Sequence, residues 1–517
     1  MNRSQARARR LLSSICACGA LVASAPAHSM QQAPGAQSEA AKRVEPVITQ
    51  DGMIELSLEK ARELALLNNY GLQIESISTE VAFFSFKGSF GVYDWNLAAQ
   101  ANVINSQFKP NDVFPGSFTN TQAVGFDVTR LVETGGTFKA HFDTSHVDTD
   151  SAFAAAPSAS TDTFSLGFVQ PLLRGAWRQY TTANQRIADL DWQRQGEHER
   201  QVRQKLIFDV SLAYWDLVAA REQLKVAESS LELAHAQIEQ DRRRLEAGVG
   251  TELDVLQAEA KAATREQDRL QADVRVRQAM DTLKSLVFPG KNPAVWDAGV
   301  APMTLLPAQV SAEAAPSWNA ALGVALERRS ELRQQRELIA ANTVRLEQRQ
   351  SEKLPGLDLT FTAGSVGFAT NPSEALGESL GYDFPTYTAA LNFTFPLENT
   401  AARYAEKAAW ASVRAARLEY ADLESQIVAD VRFAVRQVVY QVEAVHAAAK
   451  TLELARRQLK GEQDRRESGT STNFQVLQFQ QDLAEALSSE ITARANYVRA
   501  LVALEQAQGT LGEPVNP

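Results

Sequence analysis

The stretch that decides the fold is Arg244-Leu-Glu-Ala-Gly248-Val-Gly-Thr251-Glu-Leu-Asp254-Val-Leu-Gln257, because the chain contains it twice. It returns as Arg465-Arg-Glu-Ser-Gly469-Thr-Ser-Thr472-Asn-Phe-Gln475-Val-Leu-Gln478, at an offset of 469 − 248 = 221 residues. Glycine can adopt the left-handed conformation that ends a helix, and a threonine three residues later can cap the next helix. The sequence therefore predicts two helical hairpins with tips at 248–251 and 469–472.

The segments on both sides of each tip carry an apolar residue at every seventh position. Before the tips these positions are Leu217, Leu224, Leu231, Ile238 and Leu245, matched by Val438, Val445, Leu452, Leu459 and Arg466. After the tips they are Leu256, Ala263 and Leu270, matched by Leu477, Ala484 and Ile491. Seven-residue spacing keeps one seam of a helix against a partner helix. We predict antiparallel coiled-coil hairpins at about 178–288 and about 403–511, related by internal duplication, with Arg466 breaking the apolar seam.

The start of the chain has the composition of a secretory signal peptide. Four arginines precede an apolar run at 11–23, and Ala25-Pro-Ala27 supplies small residues for cleavage, so we assign 1–27 to this peptide. Both cysteines, Cys16 and Cys18, lie inside it, and the mature chain is expected to contain no disulfide or thiolate metal site. Lipid attachment at Cys18 is the alternative reading.

The charge of the chain argues against a nucleic-acid partner. The formal net charge is −10, and removal of the four arginines of the signal peptide would make it −14. After the signal peptide, the sequence has no apolar run approaching the roughly 18 residues of a transmembrane helix. Residues 28–55 are rich in Gln, Ala, Pro, Ser and Glu, which predicts an unstructured leader.

A short helical pattern precedes the strands in each half of the chain. It begins near Ser57, is interrupted at 68–71 and continues to about Phe86. Its first part recurs at 325 − 65 = 260 residues, whereas the hairpins recur at 221. The first half therefore contains 260 − 221 = 39 more residues between the short helix and its hairpin.

Between the short helices and each hairpin, apolar and polar residues alternate. The apolar positions are Trp95, Leu97, Ala99, Ala101, Val103, Val124, Phe126, Val128, Phe138, Ala140, Phe142, Phe164, Leu166 and Phe168, then Leu357, Leu359, Phe361, Ala389, Leu391, Phe393 and Phe395. Such strands suit a soluble sandwich or a membrane β-barrel. The signal peptide and the small polar residues of the second face favour the barrel. We predict strands at about 94–170 and about 356–396, with exposed loops at 148–162 and 364–385.

The chain thus divides into two repeats, 56–288 and 317–511, joined by a connector at 289–316 and followed by a tail at 512–517. Five prolines mark the connector, which is expected to add short strands or helices around the middle of the hairpins. The fold class is an α+β membrane protein with two internal structural repeats.

This order of elements resembles the TolC-like outer-membrane efflux proteins. The residues that carry the resemblance are the Gly-x-x-Thr tips with Asp254-Val-Leu256 and Gln475-Val-Leu477, and the strand ends Gln170-Pro-Leu-Leu-Arg-Gly175, Leu354-Pro-Gly-Leu357-Asp-Leu359 and Phe395-Pro-Leu397. The resemblance implies a homotrimer whose strands form one outer-membrane β-barrel, continued by a long periplasmic α-helical barrel. It also implies export of solutes or proteins with a periplasmic adaptor and an inner-membrane pump, which would dock at the tips.

Elementary physics agrees with an oligomer. One chain has too few strands to close a barrel, open strand edges cannot face lipid, and cyclic assembly removes them. A helix from about Arg178 to Ala247 would span roughly 100 Å, enough to reach deep into the periplasm. The family uses four strands per chain, and the hairpin at 122–146 around Gly135-Gly136 adds a fifth and sixth. These either extend the barrel or form a structure over it.

The tips are the candidate gate. Where the family often carries acids at the second tip, this chain has Gln475 and Gln478, so an acidic cation-binding ring is not expected there. Arg466 matches a family tyrosine, and we expect it and the glutamines to meet neighbours near Asp254 or Glu252. The full set of tip and gate candidates is Gly248, Thr251, Asp254, Arg466, Gly469, Thr472, Gln475 and Gln478. The alternative for Arg466 is a solvated helix end.

Other chemistry is not supported by the residue patterns. Glu443-x-x-His446 has helical metal-ligand spacing but occurs once, and His141 and His146 lack a third ligand. Gly248-Val-Gly250 lacks the lysine and preceding strand of a phosphate loop. We expect no enzyme activity, metal or cofactor. Two alternatives stay open, a periplasmic coiled-coil adaptor and a periplasmic scaffold of an envelope transport complex.

Overall fold

The computed structural model describes residues 46–107, 109, 117–151, 154, 156–310 and 316–512. The predicted signal peptide, most of the predicted leader and the tail from residue 513 lie outside these residues. Within the described part of the chain, no helix is both long enough and apolar enough to cross a membrane.

Strand β1, Met53–Leu56, precedes two short helices, α1, Leu58–Asn68, and α2, Tyr70–Gly88. Ser57 caps α1 because its side chain accepts a hydrogen bond from the Lys60 amide at 3.2 Å. Asn69 ends α1 and caps α2, as the predicted interruption at 68–71 requires. A 3-10 turn, Ser89–Tyr93, leads into the strands.

The predicted unstructured leader at 28–55 is wrong at its end, because β1 is part of the packed structure. It pairs in parallel with β6, Gly299–Pro302, which lies in the connector. Ile54 and Leu56 are buried there. Two apolar side chains in alternate positions give this segment a buried face, which outweighs the polar composition of the residues before it.

The connector contributes helix α6, Pro293–Asp297, and strand β6 to the core around the middle of the hairpins, as predicted. Tyr214, fully buried at that level, donates from its hydroxyl to the Leu56 carbonyl at 3.1 Å and accepts from the Thr304 amide at 2.8 Å. The ammonium of Lys284 donates to the Trp296 carbonyl at 2.6 Å. Burial lowers the pKa of Lys284.

Six antiparallel strands form one continuous sheet in the order β2-β3-β4-β5-β7-β8. The strands are β2, Asn96–Gln107; β3, Phe118–Leu131; β4, Thr137–Thr149; β5, Ser158–Pro171; β7, Gly356–Ala369; and β8, Pro385–Thr394. Strands β3 and β4 lie inside the sheet, between β2 and β5. The hairpin at 122–146 therefore extends the sheet and does not form a separate structure over it.

The predicted loop at 364–385 is largely wrong. Strand β7 continues to Ala369, and helix α9, Pro372–Gly381, follows and packs on the sheet. Gly367 makes this packing possible, because a Cβ atom there would lie 1.9 Å from the Ala375 carbonyl oxygen. The other predicted loop, 148–162, is shorter than expected, since β4 extends to Thr149 and β5 begins at Ser158.

The long helices match the predicted hairpins closely. After a short helix α3, Trp177–Thr181, the first hairpin consists of α4, Ala183–Glu246, and α5, Glu252–Val287. After α7, Trp318–Arg328, and α8, Ser330–Glu352, the second consists of α10, Thr400–Glu467, and α11, Asn473–Gln508. The 64 residues of α4 and 68 of α10 span about 96 and 102 Å at 1.5 Å per residue.

The seams agree with the seven-residue pattern in the second hairpin and depart from it in α5. All five positions of the α10 seam are buried, namely Val438, Val445, Leu452, Leu459 and Arg466. In α5, the predicted seam residues Leu256 and Leu270 are 61% and 51% exposed. The residues that pack instead include Ala258, Ala262, Ala272 and Val276. A straight helix rotates relative to a strict seven-residue repeat, and small alanines allow close approach on the shifted face.

Candidate functional site

The two tips have the same backbone hydrogen bonds. Gly248 and Gly469 have φ of 71° and 78°, a conformation that favours glycine. The Gly248 amide donates to the Leu245 carbonyl at 3.0 Å and the next amide donates to Arg244 at 2.9 Å. The second tip repeats both bonds, at 3.0 and 2.9 Å. Each turn is thus a glycine-ended helix followed by a new helix, as the sequence predicts.

Thr251 and Thr472 cap the returning helices through reciprocal bonds. Thr251 Oγ1 accepts from the Asp254 amide at 3.2 Å, while the Asp254 carboxylate accepts from the Thr251 amide at 3.0 Å. Gln475 takes the place of Asp254 at the second tip, and its side-chain oxygen accepts from the Thr472 amide at 3.3 Å. Asp254 and Gln475 are therefore capping residues, which is a structural role not foreseen for them.

Arg466 lies inside the tip and is not a solvated helix end. It is 8% exposed and its guanidinium donates to Asp241 of α4, which is 1% exposed. The sequence suggested a partner near Asp254 or Glu252, and this expectation is wrong, because the partner of Arg466 is Asp241. Arg466 lies in the last turn of α10, and Asp241 lies near the end of α4, before the first tip, whereas Glu252 and Asp254 lie in the first turn of α5, after it.

Asn473 and Gln237 complete this buried cluster. The amide of Asn473 donates to Asp241 at 2.9 Å and to the Asp254 carbonyl at 3.2 Å. Gln237 donates to both carboxylate oxygens of Asp241 at 3.0 Å, and to Asn473 at 3.2 Å. We call Gln237, Asp241, Arg466 and Asn473 the tip network. It joins α4 of the first hairpin to α10 and α11 of the second, so the two hairpins are tied together close to their tips.

Three members of the tip network were missed from sequence, although a signal for one was present. Asp241 follows the seam residue Ile238 by three positions and precedes Leu245 by four, which is a second inward position of the same seven-residue repeat. A carboxylate at one inward position and a guanidinium at another indicate a buried pair. Asn473 and Gln237 carry no comparable signal, because amides are common on helix surfaces.

The remaining predicted gate residue, Gln478, is exposed on α11 and donates to Asp482 at 3.0 Å. It borders a groove between the two hairpins that is lined by Gln257, Ala260, Lys261, Thr264, Phe474, Leu477 and Gln478. Around this groove the tips expose large apolar side chains, namely Val249, Leu253, Leu256 and Phe474. Exposed apolar residues at a helical tip are typical of a protein-binding surface.

The histidines of the sheet are paired with neighbours across the strands. His141 Nδ1 lies 2.9 Å from Asp127, and His146 Nδ1 lies 2.8 Å from the Ser160 hydroxyl. In the part of the chain that the structure describes, no group of three or more His, Cys, Asp or Glu side chains is arranged to hold a metal ion. Glu443 and His446 are both exposed residues of α10.

The sheet register separates one apolar face from one polar face. Directly opposed residues of antiparallel strands share a face, so the pairs Phe126–Phe142, Phe142–Phe164 and Leu359–Leu391 place apolar side chains together. The pairs Thr362–Thr388 and Asp358–Asn392 lie on the opposite face. The predicted alternation is confirmed at these positions. Towards the loop between β4 and β5 the same face carries polar side chains instead, among them Asn120, His146, Asp148 and Asp162.

The comparisons with known proteins agree with this architecture. A sequence model of the outer membrane efflux protein family matches residues 137–287 and 321–510. The chain belongs to this family. Two efflux-family relatives are outer membrane protein TolC of Vibrio cholerae, 25% identical over 358 residues, and the proteases secretion protein PrtF of Dickeya chrysanthemi, 23% identical over 353 residues. These matches cover 67% and 66% of this chain, and 76% and 72% of the relatives.

The fold agrees with solved channels of the same architecture. The outer-membrane channel OprN superposes with a TM-score of 0.65 at 18% identity, over 88% of this chain and 90% of OprN. This superposition shows a shared fold, and the family match identifies the chain as an outer membrane efflux protein. The names of the two relatives describe an outer membrane protein and a secretion protein.

Proposed function

We propose that the chain assembles as a homotrimer and forms the exit duct of an export system with a periplasmic adaptor and an inner-membrane pump. The observation that carries the proposal is the six-stranded sheet, amphipathic over much of its length, in the same chain as two hairpins about 100 Å long. The sheet suits a membrane, and the hairpins reach from it across the periplasm.

The edges of the sheet support assembly from several copies. Strands β2 and β8 stand at the two ends of the strand order, so each has one edge without a partner strand among the residues that the structure describes. Lipid cannot satisfy such an edge, whereas pairing of β8 with β2 of the next copy would. Three copies would close a barrel of 3 × 6 = 18 strands, a size that leaves an aqueous lumen in membrane barrels.

The helices carry apolar stripes that copies of the chain would cover. On α2 the exposed residues Ile74, Ile77, Val81 and Phe84 follow helical spacing. On α10, Trp410, Leu418, Phe433 and Tyr440 are exposed, and so are Leu256 and Leu270 of α5. Such faces are unfavourable in water and favourable between packed helices. The periplasmic wall of the duct is accordingly an α-helical barrel of six hairpins from three copies, with the two internal repeats alternating around it.

The tips close this duct and receive the adaptor. The tip network holds the two hairpins of one copy together, and opening the periplasmic mouth would separate them and break it. The exposed apolar residues around the groove at Phe474 and Gln478 suit the apolar side chains of an adaptor's helical tip. The names of relatives indicate efflux and protease secretion, so the proposed cargo is solutes or proteins.

Single-channel recordings in planar bilayers test the duct and its closure together. We expect small conductance steps from the purified wild-type protein and larger steps from Arg466→Ala, because this change breaks the tip network. Arg499→Ala is the matched control, since Arg499 pairs with Asp216 at an exposed position. A protein that inserts without conductance in any variant would refute the duct, and equal conductance in all three would refute only the closure.

The adaptor and scaffold alternatives are less well supported. A soluble adaptor or scaffold gains nothing from six strands that share a large apolar area, which would aggregate in water. Co-purification with an inner-membrane pump after cross-linking, lost when Phe474 is replaced by Asp, would support the assignment of the tips. Retention of the partner in that variant would place the docking surface elsewhere.

A further inference from the structure

The hairpin β3–β4 is an insertion relative to the second half of the chain. Shifting β2, residues 96–107, by 260 gives 356–367, which lies within β7. Shifting β5, residues 158–171, by 221 gives 379–392, which overlaps β8. Strands β3 and β4 have no counterparts between β7 and β8, where helix α9 occurs instead.

Almost all ionisable side chains of the polar face lie on this insertion. On β3 and β4 they are Asp127, Lys139, His141 and Asp143. The other four strands contribute Asp358 alone among the described residues, and otherwise present Asn, Gln, Thr, Ser, small or apolar side chains to this face. Charge on the polar face is therefore concentrated on one hairpin.

The negative charge of Asp127 is balanced by neighbouring side chains, whereas that of Asp143 is not. Asp127 lies 3.0 Å from the Lys139 ammonium and 2.9 Å from His141. The ion pairs found among the described residues do not include Asp143. With Lys139 paired to Asp127, the four residues carry a net charge of −1 when His141 is neutral.

Gly125 makes room for the carboxylate of Asp143. These two residues are directly opposite in the β3–β4 ladder. A Cβ atom on Gly125 would lie 2.9 Å from Asp143 Oδ1 and 3.0 Å from the side-chain nitrogen of Gln100. The carboxylate thus rests over the glycine, near an amide of β2, on the open polar face.

We propose that the inserted hairpin forms a cation-attracting strip on the lumen wall, centred on Asp143, which concentrates small inorganic cations and organic amines inside the outer-membrane part of the duct. This inference rests on the proposed function, because that function makes the polar face the lumen wall. A carboxylate without a counter-charge attracts cations, and low ionic strength extends its range.

Thiol labelling measures the local potential without depending on the closed tips. A cysteine replaces Thr163, which lies on β5 directly opposite Asp143. Intact cells in low-salt buffer are treated with a cationic trimethylammonium or an anionic sulfonate methanethiosulfonate reagent, and the two rates are compared. The parent protein without Thr163→Cys is the blank for Cys16 and Cys18.

We expect the cationic reagent to react faster, by roughly three- to tenfold for a unit charge within about 6 Å in water. Adding Asp143→Asn should abolish most of this preference. Asp358→Asn is the matched control, because it removes the same charge from the same face about 27 Å further along the strands. The variant that combines Thr163→Cys with Asp358→Asn should show the same preference for the cationic reagent as Thr163→Cys alone.

Other outcomes would overturn either the cation-attracting strip or the proposed function. Equal rates for the two reagents, or equal loss of preference in both Asp variants, would overturn the strip and leave the duct intact. No labelling at Thr163→Cys by either reagent, in protein that has assembled in the outer membrane, would contradict the lumen wall and with it the proposed function.

Discussion

At the residue scale, the buried pair of Arg466 and Asp241 is the most consequential feature of the tips. Removing one partner of a buried pair leaves an uncompensated charge, at a cost of roughly 3–5 kcal/mol. We expect Asp241→Leu to lower the thermal unfolding temperature of the detergent-solubilised protein sharply. Arg466→Leu in the same chain should recover most of the loss, because both charges are then absent.

The exposed pair of Arg499 and Asp216 is the control for the variants of Asp241 and Arg466. Exposed pairs contribute about 0–1 kcal/mol, so Asp216→Leu should have little effect on unfolding. Equal losses for Asp241→Leu and Asp216→Leu would mean that the tip network adds nothing to stability. An additive double variant would mean that Arg466 and Asp241 do not act as a pair.

Acids restored at Gln475 and Gln478 should change ion selectivity at the periplasmic mouth. Glutamate at 475 keeps the capping role, since a glutamate side chain also accepts the Thr472 amide hydrogen bond. Three copies would then present six added carboxylates, which concentrate cations. We expect greater cation selectivity and block by multivalent cations in bilayer recordings of Gln475→Glu with Gln478→Asp. Glu239→Gln, which changes a charge on the side of α4, should produce neither effect. Unchanged selectivity in the acidic variant would mean that residues 475 and 478 do not line the periplasmic mouth.

At the element scale, the alternation of β8 would separate a lipid face from a lumen face in the proposed barrel. Arginine in place of outward Leu391 or Phe393 should impair membrane assembly, at roughly 2–4 kcal/mol for a charge at mid-bilayer depth. Asn392→Arg and Thr394→Arg, on the opposite face of the same strand, should be tolerated. The readout is the amount of folded protein in the outer-membrane fraction. Equal impairment on both faces would refute this orientation of the sheet.

The apolar stripe of α2 should hold neighbouring copies together. Glutamate at Ile77 and Val81 places two charges in a contact that assembly would bury, so we expect loss of the oligomer on semi-native gels. Ser76→Glu adds a charge at an exposed position of the same helix that lies off the stripe. An oligomer that survives Ile77→Glu with Val81→Glu would show that this face does not lie between copies.

Elements with a strong period could be predicted from sequence, and elements decided by tertiary contacts could not. The hairpins follow from a seven-residue repeat and two glycine turns, and the sheet follows from alternation. Helix α9 was missed because its glycines and Pro372 resemble a loop, while its stability depends on close packing over Gly367. Asp241 was missed because a charged residue on a long helix is usually solvated, and only its distance from Ile238 reveals that it points inward.

At the scale of the whole molecule, the chain combines two parts that neither membrane nor water alone would stabilise. In the proposed assembly, lipid would cover one face of the sheet, partner strands would pair with both its edges, and other helices would cover the exposed stripes of the hairpins. A closed ring of copies would satisfy all of these requirements at once. The inserted β3–β4 hairpin would then make the membrane part wider than four strands per chain would, and we expect the tips to set the narrowest point.

The measurement that tests this account most directly is native mass spectrometry of the mature protein extracted from outer membranes in detergent. The expected result is a single species with three times the mass of the mature chain. A monomer, or a ring with a different number of copies, would contradict the eighteen-stranded barrel and the six-hairpin periplasmic mouth on which the proposed duct depends.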